Sequence, residues 1–372
     1  MAGIYIHIPF CKQLCYYCDF HFSLSLRNST EMWAAMQKEI SLRADYLNNQ
    51  PISTLYFGGG TPSLMSLTEL SNFVSLVHQT FDLSQLKEQT IEVNPDDLTA
   101  AYLEGLLALG FNRLSIGTQS FIDSELLVMN RRHTADAAFD AVRLAQSVGF
   151  SNISLDIIYG LPNSTVDSLQ VTLDRTLSLG TPHLSCYHLT YESKTAFSKM
   201  RDSGKIAELT EDNSLSQYGL ICNTLADSGF EHYEVSNFAK SGLYSAHNLS
   251  YWNQTSYLGI GPSAHSYNGS ARHINIAHNR QYLEAVSVKM DFIETEVLTA
   301  ENIFDEFLLL SLRRNTGISL AELNLFDAAF VSHFWNEFSK LPVADFHITS
   351  TSIALTEPSF FKMDFYLTKL FV

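Results

Sequence analysis

The chain has 372 residues, 46% of them hydrophobic and 17% charged, with a formal net charge of −16. That length allows a large core and more than one domain. The negative balance argues against non-specific nucleic-acid binding, which needs cations against phosphates, and no run reaches the length of a membrane span. Five cysteines, an odd number with Cys186 and Cys222 isolated, fit a reducing compartment better than a disulfide framework. The first residues lead straight into a strand with no room for a cleavable signal, so a cytoplasmic location is expected.

The first element expected is a buried strand over 4–9, and it runs directly into Cys11-x3-Cys15-x2-Cys18. Iron–sulfur cubes are held by cysteine thiolates, and three protein ligands leave one iron with an open position. A small molecule binding there could receive an electron. Zinc is the alternative, with His7 or His21 conscripted as a further ligand, since zinc favours four ligands. Inert core cysteines would not need this spacing.

Up to about residue 191 the chain alternates strand-like and helical stretches. Strands are expected at 4–9, 54–58, 90–94, 113–118, 153–158 and 183–188, with helices near 31–47, 67–80, 99–109, 134–148 and 165–179. Ser66 with Glu69 has capping-box spacing, Thr134 and Ser164 precede periodic runs, and Gly110, Gly149 and Gly180 stand where helices should stop. This α/β alternation predicts parallel strands joined by right-handed crossovers, in a doubly wound sheet or part of a (β/α) barrel. In either, chemistry belongs at the carboxyl ends of the strands. There the sequence places Gly58-Gly59-Gly60-Thr61, Glu92, Gln119 followed by Arg131, and Asp156 with Ile158. Consecutive glycines allow close main-chain approach to a ligand, and three polar strand ends in succession do not read as surface decoration.

A helix near 211–227, opening after Thr210, is followed by a histidine- and aromatic-rich region. It contains His232, His247-Asn248-x-x-Tyr251-Trp252, His265, His273 and His278. Most of these histidines read as hydrogen-bonded structural residues. After about residue 295 the pattern is helical: 299–313, a second helix opened by Ser319 with Glu322, and 328–340. An alternating hairpin at 346–355 and a short terminal helix follow. Three helices and a hairpin suggest a winged-helix-like module, and its few cations favour a cover or docking role over DNA binding. The division expected is 1–200 for the core, 201–294 for an extension and 295–372 for the C-terminal module.

The string Tyr5-Ile6-His7-Ile8-Pro9-Phe10-Cys11-x3-Cys15-Tyr16-x-Cys18-x-Phe20 resembles the radical S-adenosyl-L-methionine (SAM) superfamily. Within it the chain is similar to the oxygen-independent coproporphyrinogen III oxidase-like family, and to that family's heme-chaperone branch. The resemblance runs from Tyr5 to the C-terminal module. It implies a partial (β/α)6 TIM-like barrel, a metal-binding site of Cys11, Cys15 and Cys18 for a [4Fe–4S] cluster, and SAM. Tyr5, Gly59, Gly60, Thr61 and Glu92 would line one SAM, with Gln119, Arg131, Asp156 and Ile158 in the same cavity. In the porphyrinogen-oxidising relatives part of that second group contacts a second SAM. It also implies heme binding, with His247 as ligand and Tyr251 and Trp252 as walls.

Two departures separate this chain from the coproporphyrinogen dehydrogenases. Phe20 stands where those enzymes carry a fourth cysteine, and only ten residues precede Cys11, where they have a longer extension. Both departures, with the H-N-x-x-Y-W string, match the heme-chaperone branch. That branch delivers heme to recipient hemoproteins at the membrane face, and a homodimer is compatible with it. The alternative is a dehydrogenase that oxidatively decarboxylates coproporphyrinogen III to protoporphyrinogen IX by a 5′-deoxyadenosyl radical.

Overall fold

Strand β1 (Ala2–Ile8) alternates as a pleated chain must. Ile4, Ile6 and Ile8 face a helix layer and are fully buried, while Tyr5 and His7 face the opposite side. In the computed structural model, which describes every residue but Lys289, the pattern repeats along the chain. It continues through α1 (Ser29–Leu42), β2 (Ile52–Gly59), α2 (Leu67–Thr80), β3 (Glu88–Val93), α3 (Ala100–Ala108) and β4 (Arg113–Gln119). A short α4 (Asp123–Val128) is followed by α5 (Ala135–Val148), β5 (Asn152–Tyr159), α6 (Val166–Ser178) and β6 (His183–His188). β1 to β6 pair in sequence order, each pair parallel. Leu55, Phe57, Ile91, Leu114, Ile116, Ile153, Leu155 and Leu184 form the buried outward set. Their neighbours Tyr56, Glu92, Ser115, Asp156 and Ser185 point to the inner face, so a two-residue period separates core from site.

Local signals explain most boundaries. Ser66 and Glu69 close the expected capping box on α2, and Thr134 caps α5, which ends at Gly149 with φ of 122°. At α6 the cap is Thr165, one residue beyond the expected Ser164; Ser168 reciprocates, while the Ser164 hydroxyl donates to the Leu161 carbonyl at 2.9 Å. α4 was not anticipated, because six residues are too few to show a helical period.

Beyond β6 the sheet keeps growing. α7 (Ala196–Asp202) and α8 (Glu211–Asp227) lead to β7 (Glu231–Glu234) and β8 (Asn237–Ala239), antiparallel additions at the β6 edge. α9 (Ala246–Trp252) crosses to the other edge, where β9 (Tyr257–Ile260) pairs parallel with β1. Antiparallel β10 (His265–Tyr267) and β11 (Ala271–Asn275), then α10 (Asn279–Val288) and β12 (Ile293–Val297), complete a sheet of 12 strands. Seven consecutive strands are therefore parallel where the sequence suggested six. β9 is short and contains Gly259, whose hypothetical Cβ would lie 2.0 Å from the His265 carbonyl oxygen, so its sequence carries the mark of a tight crossing rather than of a strand.

The extension is bolted to α1 by a buried ion pair. Arg43 meets Glu39 at 3.2 Å and donates to the Gly259 carbonyl and the Ser266 hydroxyl, each at 3.0 Å. Glu39 also accepts from Gly261 N–H at 2.8 Å and from Asn275 at 2.7 Å. Such a pair holds because further hydrogen bonds take up much of the polarity of both side chains. The C-terminal module is α11 (Ala300–Leu312), β13 (Ile318–Ser319), α12 (Leu320–Leu323), α13 (Ala328–Phe338), β14 (Phe346–Ile348), β15 (Ser352–Leu355) and α14 (Met363–Leu370). Its strands form a separate sheet in the order β13-β15-β14, and Phe304, Phe334 and Ile353 are fully buried in its core. Among the described residues no helix is long and apolar enough to cross a membrane.

Candidate functional site

The carboxyl ends of the parallel strands surround a cavity of about 710 Å³, the position where an open α/β sheet takes its ligands. One wall is the loop after β1 with Cys11, Cys15 and Cys18; the floor is Gly59, Gly60, Thr61, Glu92, Gln119, Asp156 and Ile158. Tyr187 and His188 of β6 continue the lining, and Val235, Arg313, Met363 and Asp364 stand opposite. A flat sheet could not bring β2 and β6 to one cavity, so the sheet is curled.

All three cysteines are free thiols. Arg131 donates to Cys15 Sγ at 3.2 Å, and the Thr61 hydroxyl donates to Cys11 Sγ at 3.4 Å. Burial pushes Cys11 up to about 12, against the Thr61 hydrogen bond, and the neighbouring Cys18 and Cys15 charges raise it further. Cys18 is pushed up to about 11, again chiefly by burial. Thiolates that face one cavity and feel one another's charge repel unless a cationic centre binds them, and a cationic centre lowers thiol pKa values outright. The donor set thus fits a metal cluster with three sulfur ligands.

The glycine loop is held by its own packing. Gly59 has φ of +105°, and a Cβ there would lie 2.5 Å from His7 Nδ1; a Cβ on Gly60 would lie 2.5 Å from the Phe10 carbonyl oxygen. The two glycines are required by close approach to the end of β1, a reason the sequence alone did not show. Glu92 accepts from the Tyr56 hydroxyl at 2.8 Å and from Gly59 N–H at 3.1 Å. Burial pushes its carboxyl up to about 7, helped by nearby Asp156 and opposed by the Tyr56 hydrogen bond. Asp156 is pushed up to about 6 by burial, against hydrogen bonds from Ser185 and Ser115.

Arg131 ties these parts together. Its guanidinium donates to Asn94 Oδ1 at 2.7 Å and to the Gly117 carbonyl at 2.8 Å, leaving Nε buried without a partner. Asn94 in turn donates to Thr61 at 3.3 Å. Gln119 adopts φ of +65° where the β4–β5 register slips, which aims its amide across Gly117. A Cβ on Gly117 would fall 2.9 Å from Gln119 Nε2 and 3.4 Å from Arg131 Nη2, so the glycine keeps a polar cradle open. The Arg131 guanidinium, an amide and two acids around that cradle fit a ligand carrying an amine, a carboxylate and hydroxyls. Asn94, Ser115 and Tyr17 belong to this network and were not singled out beforehand. The Asn94-Pro95 step was a usable signal, because a polar residue before proline ends a strand.

The remaining expected residues lie elsewhere. Tyr5 hydrogen-bonds His7 Nδ1 at 3.1 Å beneath the cavity floor rather than lining it. His247 is 1% exposed at the amino-terminal end of the barrel, with Nδ1 2.8 Å from the Thr54 hydroxyl and Nε2 2.8 Å from the Tyr251 hydroxyl. Its ring stacks on Tyr56 at 4.8 Å, and Glu88 receives the Ala246 N–H of α9 at 2.7 Å. The H-N-x-x-Y-W segment therefore plugs the barrel on the side away from the cysteines, with both imidazole nitrogens engaged. Trp252 lies outside the main cavity, in a groove of about 430 Å³ with Phe307 and Leu325, and Arg313 stacks on its ring at 4.8 Å.

A curled parallel sheet with a three-cysteine loop after its first strand, a glycine turn after its second and acids at the next strand ends defines a radical SAM protein. Residues 5–176 match the Radical SAM superfamily, and that membership implies a [4Fe–4S] cluster and SAM. The chain is 34% identical over 322 residues to the heme chaperone HemW of Bacillus subtilis, covering 86% of this chain and 85% of that one. It is 33% identical to HemW of Lactococcus lactis, covering 91% and 88%. Among solved structures it superposes on coproporphyrinogen III oxidase HemN of Escherichia coli with a TM-score of 0.85 and 24% identity, over 100% of this chain and 90% of that one; this likeness is one of fold. The chain belongs to the HemW family of heme chaperones.

Proposed function

We propose that this chain is a cytoplasmic heme chaperone that holds a [4Fe–4S] cluster through Cys11, Cys15 and Cys18 and takes up SAM beside it. In this reading it binds heme and passes it to a hemoprotein at the respiratory membrane. The observation that carries the reading is the meeting, in one cavity, of three free thiols, the Gly59-Gly60-Thr61 turn and the buried acids Glu92 and Asp156, in a chain of the HemW family. When bound, the cluster supplies one-electron chemistry at an iron whose last position the protein leaves open. Arg131 steadies the Cys15 thiolate, Glu92 and Asp156 offer carboxylates to an amine and to hydroxyls, and Ile158 offers an apolar wall. Heme ligation by His247 requires α9 to leave its socket, which breaks the bond to Thr54, or the Tyr251 hydroxyl within α9 to turn away from Nε2.

Hemin titration of the cluster-loaded protein should show about one heme per chain, weakened in His247→Ala. Unchanged binding in that variant removes His247 from the heme site. Coproporphyrinogen III supplied anaerobically with SAM and a strong reductant should yield no protoporphyrinogen IX. Multiple turnover would replace the chaperone reading by the dehydrogenase one.

A further inference from the structure

Behind the cavity wall, away from the three-cysteine loop, a second set of metal-competent donors comes together. Cys222 on α8, His232 on β7 and Glu357 just before α14 each offer a ligand atom, and these atoms all lie within 4.8 Å of one another. The sulfur and the imidazole are buried, whereas the Glu357 side chain is 47% exposed. His232 Nδ1 and Glu357 Oε1 are 2.9 Å apart. We propose that Cys222, His232 and Glu357 form a site for a divalent transition metal, best suited to zinc, with water as the fourth ligand.

The chemistry of the donors supports the choice of ion. Thiolate, imidazole and carboxylate are the three ligand types of protein zinc sites, and a thiolate disfavours magnesium and calcium. Tetrahedral zinc at about 2.0–2.3 Å from its ligands holds them roughly 3.3–3.8 Å apart. His232 Nδ1 and Glu357 Oε1, now 2.9 Å apart, would open slightly to admit the ion, a movement that the half-exposed Glu357 side chain can supply. One thiolate, one carboxylate and one neutral imidazole around a divalent cation sum to zero charge, which suits a partly buried centre. Binding expels the thiol proton to solvent. The imidazole needs its proton on Nε2, and Val235 O, 3.4 Å from that nitrogen, is placed to accept it.

The supports around the site are rigid. The His232 ring stacks on Phe238 at 4.0 Å with 10° between planes, and the Tyr218 hydroxyl donates to the Glu357 carbonyl at 2.9 Å. The site also has a position that matters. Glu357 opens the segment that carries Met363 and Asp364 into the main cavity, and Val235 lines that cavity too. An ion here fastens the C-terminal module to the barrel and sets the wall facing the cluster loop.

The test uses the full chain carrying Cys11→Ser, Cys15→Ser and Cys18→Ser, so that the cluster thiols hold no metal, alongside the cluster-loaded wild type. Each is loaded with zinc, desalted and analysed for metal, and the triple variant is titrated with cobalt(II). The expected result is one zinc per chain in both, and a thiolate-to-cobalt charge-transfer band. Adding Cys222→Ser should abolish the band, and Glu357→Gln should weaken binding by more than the roughly 10–100-fold that loss of an outer partner costs. Absence of zinc, or a band that survives Cys222→Ser, overturns the site. Hydrogen exchange over 357–370 should slow when zinc binds; unchanged exchange with zinc bound overturns the fastening role. Circular dichroism of Glu357→Gln, whose side chain is half-exposed, separates loss of the site from loss of the fold.

Discussion

Glu92 shows how one buried carboxyl can set the behaviour of the site. Its folded pKa is raised from the usual range to about 7. The neutral form therefore stabilises the empty protein fully below the unfolded value, and that contribution is lost as pH rises through about 7. A cationic ligand group reverses the preference and expels the proton. SAM affinity of the cluster-loaded protein should thus weaken below pH 7, approaching tenfold per pH unit, with proton release visible by calorimetry in buffers of different ionisation enthalpy. Glu92→Gln should bind weakly with a flat profile; an unchanged profile would remove Glu92 from the amine site. At Gly60 the constraint is steric. Gly60→Ala drives a methyl to 2.5 Å from the Phe10 carbonyl, immediately before Cys11. Iron retained after anaerobic reconstitution should fall well below one cluster per chain while the circular dichroism spectrum stays wild-type.

At the scale of elements, α9 is the instructive case. Seven residues are too few to hold a helix alone. It persists because Ser245 caps it, Glu88 takes its amino-terminal N–H groups, and His247 fills a socket between β1 and β2. Removing the ring in His247→Ala leaves a hole and an unpaired Thr54 hydroxyl, at a cost of roughly 2–4 kcal/mol, read as a lower urea midpoint at constant slope. Burial lowers the His247 pKa to about 3 and that of His7 to about 4. Their contribution is present above the unfolded value near 6.5 and is lost as pH falls toward the folded values. The urea midpoint should therefore drop between pH 6.5 and 4, less steeply in His247→Gln. An equal slope in both proteins would assign acid lability to other groups.

On the scale of the molecule, the Glu39–Arg43 pair joins the barrel to the strands that extend it past β1. Arg43→Ala strands a buried carboxylate among Gly261, Asn275 and Tyr282. The expected loss is roughly 3–5 kcal/mol, with β9–β12 exchanging amide hydrogens before β2–β6. A single shared exchange rate across the sheet would mean that the extension does not depend on this bolt.

Much of this was legible without coordinates. The six strands from β1 to β6, their helices and the acids at strand ends follow from two-residue and 3.6-residue periods, which are local and survive in any fold that buries the outward face. The Ser66, Thr134 and Thr210 caps follow because a cap is a contact three residues long. Cys11, Cys15 and Cys18 stand out because their close spacing puts three sulfurs on one loop, and that loop lines the cavity. What the sequence did not disclose depends on partners far along the chain. Gly59 and Gly60 answer to the end of β1, Asn94 bridges Thr61 and Arg131, and β9 finds β1 across more than 240 residues. His247, to which the family resemblance assigned heme, lies in the structure against Thr54 and Tyr56, since only the curl of the sheet decides which end of the barrel α9 closes.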